Sequence, residues 1–367
     1  MSQMIKRALI YRADAVLLFG ILLVVALYFG QPFLIPLFFA FILSLLLLPV
    51  SQKLENWGIG RIGATLLSIL LLLLFIAGFC GVIYAQGTRL VQDWPQIQPK
   101  LLKLLNTVQA WVQQEIGLSP QQQIQAVKAQ LEKQSSSSGK LLNTVLGGIG
   151  GMVTSFVLVL LYIFFLMWKR EKYPEFILKL FAVEHHPAVQ SALSKIAKVS
   201  AQYMMGRLFS MIFLAVFYMI GLSIIGLKNA LLMSWIAVIP TLIPYVGAFI
   251  GSTFPLTMAL VSGSSDLVLP TAAILVVAQA IDNNIIEPLV MGAELNLSPL
   301  FTIIAIILGE LLWGIPGMIL FEPLFAIVKI ICDHVPALKP YGFLLENEVK
   351  EPQWIRKVRQ ALGRTSH

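Results

Sequence analysis

Long stretches of apolar, almost uncharged residues dominate the pattern along this chain. The first half contains the runs 15–30, 33–50 and 64–85, each close to the ~20 residues that a membrane-spanning α-helix needs. These runs are apolar on all sides, so a water-soluble core could not bury them all. The pattern therefore predicts an all-α polytopic integral membrane protein with about eight transmembrane helices.

Polar stretches between the runs predict the domain organisation. We expect spans 1–3 within 1–85, an extracytoplasmic helical insert at 86–147, span 4 at 148–168, a cytoplasmic helical linker at 169–204, a C-terminal half with broken helices at 205–332, and a cytoplasmic tail at 333–367. Most Lys and Arg near the span ends fit one scheme, with both termini cytoplasmic and the 86–147 insert outside. The insert has six bases of its own, but it is long and therefore weakly bound by the positive-inside rule. Proline and glycine interrupt the chain after residue 229, and re-entrant segments are expected there.

The insert carries an amphipathic pattern of its own. Apolar residues from Ile97 to Ile116 recur at intervals of three and four, which indicates a helix with one apolar stripe. Two interpretations remain open for that stripe. It could face a partner or the membrane surface, or it could pack within a helical hairpin of the insert itself.

Composition narrows the function classes. Hydrophobic residues make up 58% of the chain and charged residues 12%, about half the usual charged fraction. The net charge is +8, but the bases lie beside the apolar runs and form no basic domain, so nucleic acid is not expected as a partner. The two cysteines, Cys80 and Cys332, lie in apolar runs, and the four histidines lie outside the spans. We expect no disulfide scaffold, no metal site and no cofactor.

The strongest candidate chemistry follows from charges in the C-terminal half. No Lys, Arg or His occurs between Lys228 and Lys329, whereas the same stretch holds six carboxylates. Four of them lie in or next to strongly apolar sequence: Asp282, Glu287, Glu310 and Glu322. An ionised carboxylate at membrane depth is costly, so such a group takes up a proton, binds a cation or lines a water-filled cavity. All three suit a proton- or cation-coupled transporter, while an interfacial position is the simpler alternative for any one of them.

Asp282 is the best-placed carboxylate. If 270–287 is helical, one face carries Gln279, Asp282, Asn283 and Glu287, and Asn284 flanks it. Amides beside carboxylates suit a hydrated polar substrate or a small cation. Arg207 enters span 5 and is interpreted either as a side chain that snorkels to the interface or as a counter-ion to a site carboxylate.

Helix-breaking residues surround this region in three groups. They predict hinges or re-entrant pieces, with simple helix packing as the alternative, at Pro240, Pro244, Gly247 and Gly251, at Pro288 and Gly292, and at Gly314, Pro316 and Gly317. Aligning 230–260 with 298–328 pairs Pro255 with Pro323, which is a weak indication of an internal repeat.

These motifs resemble the autoinducer-2 exporter-like (AI-2E) family of bacterial membrane transporters. The matching segments are Ile243–Gly247, Gln279–Asn284, Pro288–Gly292, Pro299, Gly314–Gly317 and Pro323. The resemblance implies an eight-span secondary transporter of the bacterial inner membrane. It also implies export of the quorum-sensing signal autoinducer-2 or sodium–proton antiport, and assembly into a homo-oligomer, with pentamers described in the family. Glu310, Glu322 and Leu289 depart from the family pattern, which is usually less acidic at the first two positions and often has Arg at the third.

Three functional hypotheses follow. The first is a secondary transporter that exports a small polar, autoinducer-2-like solute, coupled to protons or cations. The second is a monovalent cation (Na⁺)/proton antiporter. The third, of another class, is a non-transporting assembly protein that uses the insert as its partner surface. An enzyme is not expected, because the chain has one Asp at membrane depth, no H-E-x-x-H motif and no P-loop.

Overall fold

The computed structural model describes residues 2–116, 138–261, 265–291 and 297–347. Over these ranges the protein is almost entirely helical, and the one extended pairing is a single antiparallel bridge between Leu297 and Glu346. The all-α fold expected from the apolar runs is therefore confirmed.

The N-terminal half of the described chain is built from long helices. They are α1 (Ser2–Phe29), α2 (Gln31–Asn56), α3 (Arg61–Ile116) and α4 (Ser138–Trp168), followed by the short α5 (Lys172–Lys179) and the long α6 (His186–Ile224). Pro32 lies in the first turn of α2, where a missing backbone N–H costs nothing.

Shorter helices make up the C-terminal half. They are α7 (Ala230–Val238), α8 (Val246–Val261), α9 (Val268–Ile281), α10 (Glu287–Met291), α11 (Pro299–Trp313), α12 (Ile315–His334) and α13 (Lys339–Leu345). A π-helix at Asp282–Ile286 joins α9 to α10. Four 3₁₀ turns complete the described chain: Val183–His185, Ile239–Leu242, Ser265–Leu267 and Pro336–Leu338.

Five helical segments among the described residues are long and apolar enough to cross a membrane. These are Gln31–Asn56, Arg61–Thr88, Val183–Ile224, Val268–Val290 and Ile315–His334, and a bent pair, Val153–Trp168 with Lys172–Lys179, raises the count to six. The expected number of eight is not confirmed. Four further apolar helices are shorter than the ~20 residues of a full crossing: Leu17–Phe29, Ala230–Leu242, Val246–Val261 and Pro299–Trp313.

Helix α3 is much longer than a membrane is thick. Its 56 residues make it about 84 Å long, against a hydrocarbon core of about 30 Å. The apolar segment ends at Thr88, and the helix continues without a break to Ile116. The N-terminal part of the predicted insert is thus a direct extension of a spanning helix, while residues 117–137 of the insert lie outside the described residues.

The described residues form two compact units. The first falls within Met1–Leu66, Ser155–Ala201 and Leu295–Val349, and the second within Leu67–Thr154 and Gln202–Glu294. The core of the second unit brings together buried side chains from α6, α7, α8 and α9, with Leu214, Leu222, Leu232, Val238 and Ala278 at its centre. This core holds α6 and α9 in place, and both helices carry polar side chains.

Candidate functional site

Three polar contacts connect α6 with the segment formed by α9, the π-helix and α10. All six residues belong to the second unit: Arg207 with Glu287, Ser210 with Asp282, and Tyr218 with Gln279. The two segments run antiparallel in these contacts, because residue numbers increase along α6 from Arg207 to Tyr218 while those of their partners decrease from Glu287 to Gln279. The contacts place Gln279, Asp282 and Glu287 of the predicted carboxylate face against α6.

Asp282 is the most deeply buried acidic side chain of this group, with 3% of its surface exposed. The Ser210 hydroxyl donates a hydrogen bond of 2.6 Å to Asp282 Oδ2, and Ser210 is itself buried. Asp282 Oδ1 is buried as well and has no hydrogen-bond partner within the described part of the chain. A buried oxygen atom without a donor is costly. Asp282 is therefore a group that a proton, a cation or a polar solute would stabilise.

The backbone at Asp282 departs from the α-helix. Asp282–Ile286 forms a π-helix, and single π turns inside α-helices occur frequently at functional sites. The expectation that Gln279, Asp282, Asn283 and Glu287 share one face was based on an unbroken α-helix. In the structure Gln279 and Glu287 are half-buried, but Asn283 and Asn284 are exposed. The Asn284 amide donates to the Ala280 carbonyl of its own helix at 2.8 Å.

Arg207 brings a positive charge to the base-free C-terminal segment. It is 8% exposed, and its guanidinium donates to Glu287 Oε1 at 2.8 Å while lying 5.8 Å from the centre of the Tyr203 ring. Of the two interpretations of Arg207, this geometry agrees with the counter-ion, and Glu287 is the carboxylate that Arg207 contacts. Burial favours such a pair only when hydrogen bonds accompany the charge attraction.

Tyr218 and Gln279 make the third contact. The Gln279 amide donates to the buried Tyr218 hydroxyl at 3.0 Å. Sequence reasoning missed both Tyr218 and Ser210. Ser210 lies three residues after Arg207, so helical spacing puts them on neighbouring positions of one face. The sequence did offer one signal for Ser210. It is a hydroxyl residue on the helix face that carries Arg207, the only Arg of that apolar span.

The remaining acidic candidates lie elsewhere. Glu310 is exposed on α11, and Glu322 is buried on α12, and both belong to the first unit. The Asp282 group and these two glutamates therefore belong to different units. In the described ranges no group of three or more His, Cys, Asp or Glu side chains could hold a metal ion.

The predicted breaks coincide with two helical hairpins. In the second unit, α7 and α8 meet around a 3₁₀ turn that contains Pro240, followed by Pro244 and by Tyr245 at φ +59°. A Cβ atom on Gly247 would overlap the Pro240 carbonyl, and one on Gly251 would overlap the Ala237 carbonyl. Only glycine allows the two backbones to approach this closely.

The other hairpin, α11 with α12, belongs to the first unit and turns at Gly314, whose φ is +62°. Pro316 occupies the first turn of α12, and Gly317 packs against Gly309 so closely that a Cβ on either would overlap the other's carbonyl. Pro288 lies in α10, next to Glu287. Gly292, the remaining predicted hinge, lies outside the described residues.

Comparison with known proteins defines the class. The model of the AI-2E family transporter matches residues 17–337, so the chain belongs to this family of membrane transporters. The resemblance seen in the sequence motifs is confirmed.

Individual relatives agree with this membership. The chain is 28% identical over 319 residues to "Putative transport protein YueF" of Bacillus subtilis (strain 168), covering 82% of this chain and 85% of the relative. It is 24% identical to "Putative transport protein YhhT" of Escherichia coli (strain K12), covering 81% and 82%. It is 22% identical over 341 residues to "AI-2 transport protein TqsA" of Escherichia coli (strain K12), covering 92% and 96%.

Proposed function

We propose that this protein is a secondary transporter that exports a small polar, autoinducer-2-like solute and couples export to protons or cations at Asp282. The observation that supports it most directly is the burial of the Asp282 carboxylate with one oxygen held by Ser210 and the other without a partner in the described ranges. The name of the relative TqsA supports the choice of solute.

A carboxylate with one fixed and one open oxygen has the properties that coupling requires. Ser210 fixes the orientation of the group, so Oδ1 points in a defined direction. A proton or a cation at Oδ1 would neutralise the buried charge and make this part of the segment less costly to keep in an apolar environment. Gain and loss of that charge would then favour different conformations of the surrounding helices.

The neighbouring contacts give the proposed site its polar surroundings. Arg207 and Glu287 form a charge-assisted pair beside Asp282, and Gln279 and Tyr218 contribute an amide and a hydroxyl. A small solute with several hydroxyl groups needs several donors and acceptors of this kind. We assign Asn283 and Asn284 to secondary roles beside Asp282. Glu310 and Glu322 of the first unit are proposed separately as further residues that bind the solute or the ion.

The two hairpins are the proposed moving parts. Each has a tight turn next to proline and glycine, and each packs its arms backbone to backbone through small residues. Broken helices at membrane depth are tolerated where they are buried in protein or line a cavity. We therefore propose Pro240, Pro244, Gly247 and Gly251 in one hairpin, and Gly314, Pro316 and Gly317 in the other, as hinge residues, together with Pro288 and Gly292.

Family membership and charge distribution support a proposal for location and assembly. We propose the bacterial cytoplasmic (inner) membrane, with both termini in the cytoplasm and the 86–147 insert on the opposite side. We also propose a homo-oligomer, by resemblance a pentamer.

Monovalent cation–proton antiport is the second candidate. The base-free stretch with its six carboxylates favours it, because acidic groups outnumber the bases that could neutralise them locally. The assembly-protein hypothesis remains the alternative of another class, with the insert as the partner surface.

Transport in liposomes separates these functions. The full chain is reconstituted in vesicles that contain a pH-sensitive dye, a sodium or pH gradient is imposed, and efflux of autoinducer-2 is followed in parallel. The proposal expects autoinducer-2 efflux driven by the gradient, and expects Asp282→Asn to abolish it. Asp266→Asn is the matched control, because Asp266 is exposed in the Ser265–Leu267 turn.

Each remaining outcome contradicts the proposal in a different way. A sodium-dependent pH change without autoinducer-2 efflux would replace export by antiport. Full efflux in Asp282→Asn would remove Asp282 from the mechanism. Absence of any flux, with the protein folded and inserted, would favour the assembly hypothesis.

A further inference from the structure

The chain makes a sharp and well-held turn directly after the span that ends at Trp168. The direction of helix α5 differs by 73° from that of the apolar segment Val153–Trp168. The Lys169 amide donates to the Phe165 carbonyl at 3.0 Å, and the Tyr173 hydroxyl donates to the same carbonyl at 3.3 Å. Tyr173 thus adds a second donor to a carbonyl group in the last turn of α4, where helix carbonyls need partners from outside the helix.

Ion pairs attach this turn to the ends of two other spans. Arg170 makes a bidentate contact with Glu55 near the end of α2, donating hydrogen bonds of 2.8 Å to Oε1 and 2.7 Å to Oε2. Glu171 accepts a hydrogen bond from Arg61, the first residue of α3. The turn is therefore fixed at the level where α2 ends and α3 begins.

Aromatic residues mark the same level as a membrane–water interface. Trp57 follows α2 and is 69% exposed, with the Lys53 ammonium 5.8 Å from its ring centre. Trp168 ends α4, and the Lys169 ammonium lies 3.8 Å from its ring centre. Tryptophan next to lysine at the end of a spanning helix is typical of the interfacial region, where the ring is apolar and the charge reaches water.

Helix α5 has two distinct faces. Tyr173, Phe176 and Leu180 are exposed by 42%, 62% and 66% and share one face at spacings of three and four. Lys172, Glu175 and Lys179 share the other, and Lys179 pairs with Glu175 at 2.6 Å. The two stripes are offset by one residue, about 100° around the helix. An exposed apolar stripe beside a charged stripe suits a helix in a membrane interface, where one stripe enters the lipid and the other reaches water.

We propose that α5 lies flat in the membrane surface where α4 ends, with Tyr173, Phe176 and Leu180 in the lipid and with Lys169 and Lys172 binding the headgroups of acidic phospholipids. The segment 169–179 contains four bases and two acids. Both acids and two of the bases are engaged in the ion pairs with Glu55, Arg61 and each other. Lys169 and Lys172 make no ion pair of 4 Å or less with a carboxylate among the described residues, and their charge complements an acidic lipid surface.

The length of α5 excludes a continuation of the span. Its eight residues extend about 12 Å, far less than the ~30 Å of the hydrocarbon core. A helix inserted end-on would also carry Lys172, Glu175 and Lys179 into the lipid. In the flat orientation the apolar residues of α5 reach the lipid while its charged residues reach water.

Depth measurement on two neighbouring residues tests the orientation. Nitroxide labels are attached to Phe176→Cys and, separately, to Glu175→Cys in the full chain with Cys80→Ser and Cys332→Ser, reconstituted in vesicles. Accessibility to oxygen and to a water-soluble nickel complex is measured by electron paramagnetic resonance. The proposal expects the label at 176 to favour oxygen and the label at 175 to favour nickel. Equal access of nickel at both positions would mean that α5 lies in water against a soluble partner, and would overturn the proposal.

Lipid preference tests the headgroup contact. A fluorophore at position 176 is quenched by spin-labelled phosphatidylglycerol or by spin-labelled phosphatidylcholine at equal low mole fraction. The wild-type lysines are expected to give a preference for phosphatidylglycerol that falls by about fivefold for each lysine removed in Lys169→Gln and Lys172→Gln, and that weakens with salt. The control Lys195→Gln/Lys339→Gln removes equal charge at two exposed positions outside α5 and is expected to retain the preference. An equal loss in this control, or no preference in the wild-type background, would contradict a specific contact.

Discussion

Ser210 donates a hydrogen bond of 2.6 Å to Asp282 across a sequence separation of 72 residues, and both side chains are buried. The contact leaves the two carboxylate oxygens in different situations. Oδ2 is held by a hydroxyl on α6, whereas Oδ1 has no partner in the described ranges. This asymmetry gives the carboxylate a fixed orientation and one open position.

Removing the Ser210 hydroxyl is expected to impair both transport and stability. Ser210→Ala leaves both Asp282 oxygens without a donor, and an unsatisfied buried acceptor costs about 1–3 kcal/mol. Ser210→Thr keeps the hydroxyl and is expected to retain most of the activity. Efflux from proteoliposomes and the Tm in detergent measure the two effects.

Ser252→Ala is the matched control for this variant. The Ser252 hydroxyl donates to the Phe249 carbonyl of its own helix, at 2.8 Å. Its loss is expected to change neither efflux nor Tm appreciably. A Ser210→Ala protein that transports as well as Ser252→Ala would show that the hydroxyl has no part in the site.

The Arg207–Glu287 pair is expected to show strong coupling in a double-mutant cycle. Arg207 is 9% exposed at its side chain, so Glu287→Gln removes the charge that compensates a buried guanidinium, and such losses cost about 3–5 kcal/mol. Because Glu287 is 28% exposed, solvent reduces the effect of Arg207→Gln below that range. Thermal unfolding of both single variants and of Arg207→Gln/Glu287→Gln gives the coupling. Strictly additive effects would mean that the pair contributes no interaction of its own.

The α11–α12 hairpin is expected to tolerate no side chain at its glycine contact. In Gly317→Ala the new Cβ would overlap the Gly309 carbonyl, so the helices must separate, at a cost of about 1–3 kcal/mol. Gly78→Ala on α3 is the control, since the added carbon would meet no described atom within 4 Å beyond its own stretch of helix backbone, and the change removes backbone freedom of the unfolded chain. We expect a lower Tm for the first variant and an unchanged or higher Tm for the second. Equal Tm values in both would refute the close contact.

The Arg61–Glu171 pair is expected to be lost only in acid. The hydrogen bond from Arg61, followed by its charge, lowers the pKa of Glu171 below its ordinary value of 4.5. A carboxyl group with a lowered pKa in the folded state stabilises the protein above its unfolded-state pKa, and that contribution disappears as the pH falls through the folded-state pKa.

The difference in Tm between wild type and Glu171→Gln should therefore be constant from neutral pH down to about 5, begin to shrink near 4.5, and vanish only below the lowered folded-state pKa. We expect a small difference throughout, because Glu171 is 72% exposed and surface pairs contribute little. Glu184→Gln, at another exposed position, serves as the reference for the removal of a surface carboxylate. A difference that grew on acidification would contradict the sign of the pKa change.

Much of the architecture could be predicted from the order of residues alone. Apolar runs such as 33–50 and 64–85 became parts of α2 and α3, because an uncharged apolar segment of that length is stable only as a helix in lipid. The proline and glycine clusters at 240–251 and 314–317 coincide with the turns and contacts of two hairpins. The count of eight spans was harder to predict, since short apolar helices such as Ala230–Leu242 and Val246–Val261 cannot be distinguished by composition from parts of full spans.

Of the two helical segments that form the candidate site, the sequence predicted mainly the residues of one, the segment that contains Asp282. The missing bases between Lys228 and Lys329 draw attention to four carboxylates by sequence alone, and Asp282 and Glu287 are two of them. Nothing in that stretch indicates which residues face them. The π-helix at Asp282–Ile286 also has no local signal, so the expected shared face included Asn283, which is exposed.

By itself the sequence determined that the chain is a helical membrane protein of the AI-2E family, where its helices break, and which acidic residue most needs a partner. These properties depend on local composition and spacing, which the chain carries along its length. The tertiary structure alone decided that Ser210 meets Asp282, that Arg207 pairs with Glu287, and that Arg170 and Glu171 attach α5 to α2 and α3. Such pairs join residues far apart in sequence, and they form because a buried polar or charged group needs a partner that only helix packing can bring to it.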